Sequence, residues 1–589
     1  MKTLKYLSLA LALASSARAA DSLDPLLVTA TRASIPLSQA LSASTILTRS
    51  DIERVQAVDA LELLRRVAGI DLARSGGPGA QTSLFMRGTN SNHVLVLIDG
   101  VRVASATSGG YSFEFLPVES IERIEIVRGP RASVWGSDAI GGVIQFFTRR
   151  DPGLNAGIAL GSQSDRQARV AFGARGDRGG YRVGISSRHT DGISAQNANG
   201  FAFDPDNDGL ERSGISLSGD YALSAAHRLD AFALANNANI EFDQGRSRTE
   251  QRTLGASAMS EFSQSWSQEV QIGYVQDELT TPVFQSEFAT KRINGALKQT
   301  LQWGNHAMLL GIDWQRETGR DLSAGSAVFD RSRRNLGLFA VWQGRFERQS
   351  LDLSARRDDS SQFGGASTGS IAWGVELAQD ARLYVSAGQG FRAPNFNELY
   401  SPGFGGTFRG NPFLDPERSL SYEIGFKRAG LRISGFSNHI DDLIAFQGGQ
   451  TFDAVNVREA RIQGVELEYR FDHPALSGAV NATFQGPKDL SAKRNLLRRP
   501  EQKFSLSLDR PLGARLSIGA DVFISGPRDD FAASLPGYGV LDLRARLTFN
   551  PTWAAQLRLA NALDRDYELA RGFNTEQRSV LLELKYTAN

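Results

Sequence analysis

Residues 541–549 read Leu541-Asp542-Leu543-Arg544-Ala545-Arg546-Leu547-Thr548-Phe549, apolar at every odd position and polar at every even one. A period of two makes a β-strand with one greasy and one wet face. The alternation returns in Val465, Leu467, Tyr469 and Phe471; in Phe504, Leu506 and Leu508; in Leu516, Ile518, Ala520, Val522 and Ile524; and in Leu582, Leu584 and Tyr586. Clusters of Gly, Asn, Asp and Ser between these runs are turn chemistry. One such strand also fits a soluble sandwich. Sustained over hundreds of residues, with a mean hydropathy of −0.26, it predicts an all-β membrane barrel, apolar towards lipid and polar in the lumen. Residues 153–589, at roughly 20 per strand plus connection, of which about 10 lie in the membrane, allow about 22 antiparallel transmembrane strands. Barrels that wide are plugged. Tyr586 is the expected terminal aromatic anchor, with Thr587, Ala588 and Asn589 overhanging.

Composition agrees with one large closed structure. The 589 residues include 59 Gly and 19 Pro, 22% are charged, and the net charge is +1. Disorder, collagen-like repeats and polyanion binding fit poorly, so no nucleic-acid partner is expected. No linker divides the chain. With no cysteine, disulfides, thiolate metal sites and cysteine catalysis are excluded. Six histidines without a His-x-x-x-His pair argue against a zinc hydrolase. Nothing reads as a nucleophile elbow, a Ser/His/Asp grouping or a nucleotide-binding loop, so no enzyme is expected. Residues 1–19 read as a Sec export signal: Lys2 and Lys5, an apolar run over 6–14, then Ala17-Arg18-Ala19 as the cleavage site. The run is far shorter than the roughly 20 residues a spanning helix needs. No later run approaches that length; the strongest, Val94–Ile98, ends at Asp99.

Residues 20–152 carry a different pattern, expected as an α+β insert in the barrel. An amphipathic helix is predicted near 50–67, with Ser50 as N-cap, Glu53 completing a capping box and Ile52, Val55, Leu61 and Leu64 as its core stripe. The most specific string is Ile121-Glu122-Arg123-Ile124-Glu125-Ile126-Val127-Arg128-Gly129-Pro130, continuing through Trp135-Gly136-Ser137-Asp138-Ala139-Ile140-Gly141-Gly142-Val143-Ile144. At this string the chain resembles the plug domain of the TonB-dependent outer-membrane receptors. The resemblance covers almost the whole chain. It implies a TonB box at Leu26, Leu27, Val28, Thr29 and Ala30, which with a tether fills 20–50. A plug over 51–152 and the barrel over 153–589 follow.

Further strings are similar to the cobalamin (vitamin B12) receptor branch of that family. They are Leu84-Phe85-Met86-Arg87-Gly88-Thr89-Asn90, Phe391-Arg392-Ala393-Pro394, Asn411-Pro412-Phe413-Leu414-Asp415-Pro416-Glu417, Ala460-Arg461-Ile462-Gln463-Gly464-Val465-Glu466, Leu496-Leu497-Arg498-Arg499 and Asn561-Ala562-Leu563-Asp564-Arg565-Asp566-Tyr567-Glu568. Several are shared with haem receptors, yet residues 395–410 hold no axial histidine, and His93 reads as structural. A ferric-siderophore receptor is the same machine with another ligand and stays open, as does another corrinoid.

By match to that branch, Gln81, Ser83, Asn90, Thr107 and Ser108 form a ligand floor, with Thr290, Arg498 and Phe531 from the barrel. Arg498 reads equally as a lumen charge bonded to the plug. Asp204-Pro205-Asp206-Asn207-Asp208-Gly209 has the ligand spacing of half a calcium loop. The resemblance adds Asp191, Phe242, Asp243 and Glu250 to Asp204, Asp206 and Asp208 as a calcium site; a solvated acidic turn is the alternative. The implied partners are TonB, cobalamin and outer-membrane lipid, with the protein a monomer in the bacterial outer membrane. Energy is expected to arrive mechanically, through TonB pairing as an added strand with 26–30.

Overall fold

The computed structural model describes residues 24–588 apart from 379, 404–405, 449–450 and 532. The export signal expected over 1–19 lies outside the described residues. From Gly153 onward the chain winds through 22 long antiparallel strands that close into a barrel. The first strand, Gly153–Gly161, pairs with the last, Ser579–Ala588, placing Ala156 opposite Tyr586. At the end where the chain enters at Gly153, strands are joined by short turns such as 304–305 and 429–430; at the other end long connections such as 393–416 and 561–578 gather. Short turns face the periplasm in such barrels and long loops the exterior.

The alternation in the sequence is the wall of this barrel. In Gly179–Ile193 the side chains of Tyr181, Val183 and Ile185 are exposed, while Arg182, Ser186, Arg188 and Thr190 are buried. In Tyr538–Thr548, Leu543 and Leu547 are exposed and Asp542 and Arg544 buried. Apolar residues outside and charges inside is the reverse of a soluble protein. It is stable only where lipid meets one face and a polar filling the other. Closure of the ladder pairs the backbone groups of the wall with one another and leaves no sheet edge in the lipid.

The filling is residues 24–152. Its centre is a five-stranded sheet in the order Ser44–Leu47, Ile121–Arg128, Gly142–Thr148, Val94–Ile98, Val101–Arg102, with Val94–Ile98 parallel to Gly142–Thr148. A core of Ile52, Leu61, Leu64, Val96, Ile124 and Ile144 packs on it. A Cβ at Gly142, where φ is +150°, would come within 2.2 Å of the Val127 carbonyl oxygen, so only glycine lets the chain turn into the sheet there.

Four expectations are corrected. The single helix over 50–67 is two, Arg49–Val55 and Ala60–Leu64, broken at Gln56, whose φ is +55°. The first is capped by Thr48 with Asp51 rather than by Ser50 with Glu53, because the Thr48 hydroxyl reaches the Asp51 N–H. The stretch expected as tether is partly plug: Ile35–Pro36 pairs with Leu26–Leu27, and Ser44–Leu47 with Ile121–Arg128. Thr587 and Ala588 do not overhang, since they pair with Asn155 and Leu154 in the closing seam. The Tyr586 ring lies 5.0 Å from that of Trp553 across the neighbouring strand.

Because the seam runs through these residues, deleting 587–589 should lower the temperature at which the purified barrel loses its fast-migrating folded band in unheated gels. The Tyr586→Ala variant should lower it further. A deletion that melts with wild type would show that the last ladder pairs add nothing.

Candidate functional site

The plug is held by charges buried between it and the wall. Arg87, from the string 84–90, donates to Glu423 at 2.6 Å and to Glu466 at 2.9 Å. Arg128, from Val127-Arg128-Gly129-Pro130, bonds Glu468 and lies 3.4 Å from Glu466. All five are buried. Burial works against the Arg87 charge, but Glu466 and Glu423 outweigh it and hold the guanidinium above its ordinary pKa. Around this centre Arg66 meets Asp521 at 3.1 Å, Arg65 meets Asp542 at 2.8 Å and Glu62 meets Arg558 at 2.6 Å. Plug cations on barrel carboxylates, and the reverse in Glu62, fix the insert in one orientation.

At the exterior end, barrel segment 392–417 grips the plug apex. Arg392 forks onto Glu398 at 2.8 and 3.0 Å and also bonds Glu417. His93 Nδ1 accepts the Asn90 N–H at 3.3 Å, so Nε2–H donates to Glu417 at 2.7 Å. With both nitrogens engaged and the ring buried, His93 is a structural histidine. The Asn395 side chain donates to the Ser108 carbonyl at 2.9 Å, and the backbone N–H groups of Phe396 and Asn397 donate to the carbonyls of Ala106 and Thr107. Arg392, Asn395, Glu398 and Glu417 were not expected as site residues. Their signal was a charge or amide beside the prolines of the strings 391–394 and 411–417. A cavity of about 520 Å³ remains between Arg102 and Asp138 of the plug and Glu317, Arg333 and Asp358 of the wall.

The expected ligand residues divide. Gln81, Ser108 and Phe531 are exposed and Ser83, Asn90 and Arg498 half-buried at the apex. Thr107 and Thr290 are buried instead. The Thr290 hydroxyl accepts the Ala106 N–H at 3.0 Å and contacts the Ser105 hydroxyl at 3.1 Å, so it seals plug to wall rather than facing a ligand. Arg498 bonds Asp530 at 2.9 Å and lies over the Phe531 ring. The role of plug anchor belongs to its neighbour Arg499, which donates to the Gly88 carbonyl at 2.9 Å and to Asn90, over the ring of Phe85. Beside this floor Glu114 accepts the Thr82 N–H at 2.7 Å, and burial pushes its carboxyl up to about 7.

The acidic loops touch without forming a cation cage. The Asp204 N–H donates to Asp243 at 2.9 Å and the Ala195 N–H to Asp208 at 2.6 Å. Asp191 lies 3.3 Å from His189. The Phe242 ring lies 6.2 Å from Phe284. Glu250 is not with them: it shares the outward face with exposed Leu254 and is paired with Arg248 at 2.6 Å and Arg252 at 3.2 Å. Among the described residues, the group whose ligand atoms lie within 4.8 Å of one another is His439, Asp441 and Glu459. Gly365-Ala366-Ser367-Thr368-Gly369 has the spacing of a nucleophile elbow, but it lies within the strand Gly364–Ala378, where Ser367 accepts from Arg357 at 2.9 Å. No strand-to-helix turn presents that serine.

At the entry end the segment 26–30 is latched. Leu27 is 0% exposed. The N–H groups of Val28 and Thr29 both donate to Glu125 at 2.9 Å, and the Trp135 indole donates to the Thr29 carbonyl at 2.8 Å. Arg32 forks onto Asp313 at 2.8 Å between the rings of Trp135 and Phe339. The groups an added strand would need are therefore occupied.

Comparison with known proteins matches this architecture. The family model "TonB dependent receptor-like, beta-barrel" matches residues 150–562, and "TonB-dependent Receptor Plug Domain" matches 36–143. A relative from Photobacterium profundum, "Vitamin B12 transporter BtuB", is 29% identical over 99% of both chains. Solved structures with the same fold include the siderophore receptor PirA from Acinetobacter baumannii, with TM-score 0.79 and 17% identity over 93% of this chain and 98% of that one. The copper transporter OprC gives 0.77 and 18% over 90% and 96%. The ferric enterobactin receptor PfeA from Pseudomonas aeruginosa gives 0.78 and 18% over 94% and 100%.

Arg499→Gln should loosen the turn at 88–90, while Arg87 and His93 still hold its two ends to the wall. Hydrogen exchange of a peptide covering it should speed up roughly tenfold or more, as expected when a hydrogen bond from a charged donor is lost at about 1.5–3 kcal/mol. Arg498→Gln should leave that peptide unchanged; equal effects of the two would contradict the assignment.

Proposed function

Since the chain belongs to the TonB-dependent receptors, we propose that it imports cobalamin across the bacterial outer membrane into the periplasm, driven by TonB. The observation that carries the ligand is the full-length likeness to a vitamin B12 transporter, joined by the apex of small and polar residues. A corrin ring is a broad, partly apolar disc fringed with amides. Gln81, Ser83, Asn90 and Ser108 from the plug, with Arg498 from the wall, offer hydrogen bonds around a shallow floor, and the exposed Phe531 ring offers it an apolar contact. The export signal at 1–19 delivers the chain to the membrane, where it acts as a monomer in lipid.

Tight capture makes release slow, because affinity lies mostly in the off-rate. Work must therefore be done on the plug from below. TonB pairs with 26–30 as an added strand, which first requires the Val28 and Thr29 N–H groups to leave Glu125. The pull then acts next to Arg32, Trp135 and the sheet edge, on the same strand Ile121–Arg128 that ends at Arg128. In this reading calcium orders the outer loops through Asp191, Asp204, Asp206, Asp208 and Asp243. Ordering them before the ligand arrives spares entropy at binding.

Purified protein titrated with cyanocobalamin should bind it, and ferric siderophores and haem should not compete; absence of cyanocobalamin binding with and without calcium would overturn the ligand. Affinity should fall when calcium is chelated, and by linkage cobalamin should tighten calcium by the same factor; equal affinity in both conditions would remove calcium from the account. Leu27→Pro or Val28→Pro takes away a strand donor and fixes φ. Cells carrying either variant should bind the ligand at wild-type levels and lose uptake.

A further inference from the structure

On the outer face, beyond the apolar band, two neighbouring strands bring an imidazole and two carboxylates together. In Leu431–Gly448 the outward row that includes exposed Ile433 ends, towards the loops, at His439 and Asp441; in Asp453–His473 the row through exposed Val465 ends at Glu459. The register sets Asp441 directly opposite Glu459 and His439 opposite Arg461. His439 Nε2 lies 3.3 Å from Asp441 Oδ1, and one ligand atom from each of the three residues stands within 4.8 Å of the other two. Their strand is paired along both edges, with Leu420 and Arg418 opposite His439 and Asp441 on the other side, so the backbone fixes the spacing of the side chains.

Like charges directly opposite in an antiparallel pair repel. The neighbouring arginines do not relieve Asp441 and Glu459: among the described residues, neither Arg418 nor Arg461 comes within ion-pair distance of them. A protonated His439 answers one carboxylate, whereas a divalent ion answers both and uses the imidazole as a ligand. The separation already suits such an ion, since bonds near 2.0–2.2 Å put two ligands of one tetrahedral centre about 3.3–3.6 Å apart. The strand Gly179–Ile193 repeats the spacing in His189 and Asp191, also 3.3 Å apart. There the glutamate, Glu211, stands opposite the histidine, and among the described residues those three do not gather within 4.8 Å. The register of the third ligand is what distinguishes the site.

We propose that His439, Asp441 and Glu459 bind a divalent ion of the zinc class, with water in the remaining position. Imidazole suits zinc and its first-row neighbours, whereas calcium takes oxygen ligands alone. The three side chains lie outside the barrel and towards the loops, so the ion arrives from the exterior without entering the lumen. It ties together two strands whose hairpin carries Ile444, the N–H of which donates to Glu417 at 2.7 Å. Bound zinc therefore stiffens the wall beside the segment that grips the plug apex.

The test titrates the full chain, in dodecyl maltoside and without a polyhistidine tag, with zinc chloride in the presence and absence of excess calcium. His439→Ala, Asp441→Asn and Glu459→Gln should each bind zinc roughly tenfold or more weakly than wild type, one ligand of three being lost. His473→Ala, at the far end of the same strand as Glu459, should bind as wild type does. Variants are compared as protein that runs folded in unheated gels. Zinc should also slow hydrogen exchange of a peptide covering 441–448 in wild type and not in His439→Ala. Equal zinc affinity of His439→Ala and wild type would overturn the site. Zinc binding that excess calcium abolishes would overturn the class of ion.

Discussion

Arg87 and Arg128 stand in the middle of the molecule with Glu423, Glu466 and Glu468, all five buried. Each charge has been taken out of water, and each is tolerable only because the others are there. The carboxylates belong to the wall and the arginines to the plug. Without the plug the barrel would crowd three carboxylates on the wall of an open, water-filled lumen. Without the barrel the plug would carry Arg87, just after Thr82–Met86, and Arg128, at the end of Ile121–Arg128, with no carboxylate opposite them. Each part supplies the counter-charges of the other, and the seat of the insert in the closed barrel follows from that. Close approach is part of the fit: a Cβ at Gly69 would come within 2.1 Å of Glu466 Oε1.

This lock is also what makes transport a mechanical problem. The apex is tied to the wall by Arg392, Asn395 and Arg499, the middle by the arginine–glutamate cluster, and the entry end by Arg32 on Asp313. Hydrogen-bonded ion pairs resist sliding but yield one at a time when peeled. The strand Ile121–Arg128 connects the levels, since Glu125 receives the 26–30 segment and Arg128 enters the central cluster. A pull on the entry segment therefore reaches the strongest contact through one strand.

The barrel was legible because its code is local. Period two needs only neighbouring residues, and each outward row of Leu, Ile or Val could be read from the chain. The plug family string was legible because glycines such as Gly142 answer a backbone demand. What failed depended on partners distant in sequence or on parity left unused. Ser50 and Glu53 form a plausible capping box, yet Thr48 with Asp51 does the capping, and Asp59 with Glu62 marks a second helix start that the apolar stripe concealed. Arg498 and Arg499 are adjacent in a loop where no alternation assigns an inside, so their roles could not be separated. Glu250 could have been placed: Leu254, four residues on, shares its parity and faces lipid. Thr290 sits on the correct face but at the height of the plug rim, which only the register fixes.

The claim on which this account rests is that the buried charges hold the plug in place as a coupled unit. A double-mutant cycle on Arg87→Met and Glu466→Gln tests it, reading the urea dependence of plug unfolding inside the intact barrel. Each single change should destabilise by about 3–5 kcal/mol because it strands a buried charge. The pair should be less destabilised than the sum of the two by about 1–3 kcal/mol. Additive losses, or singles indistinguishable from wild type, would show that the cluster is a bystander and that the plug is held by something else.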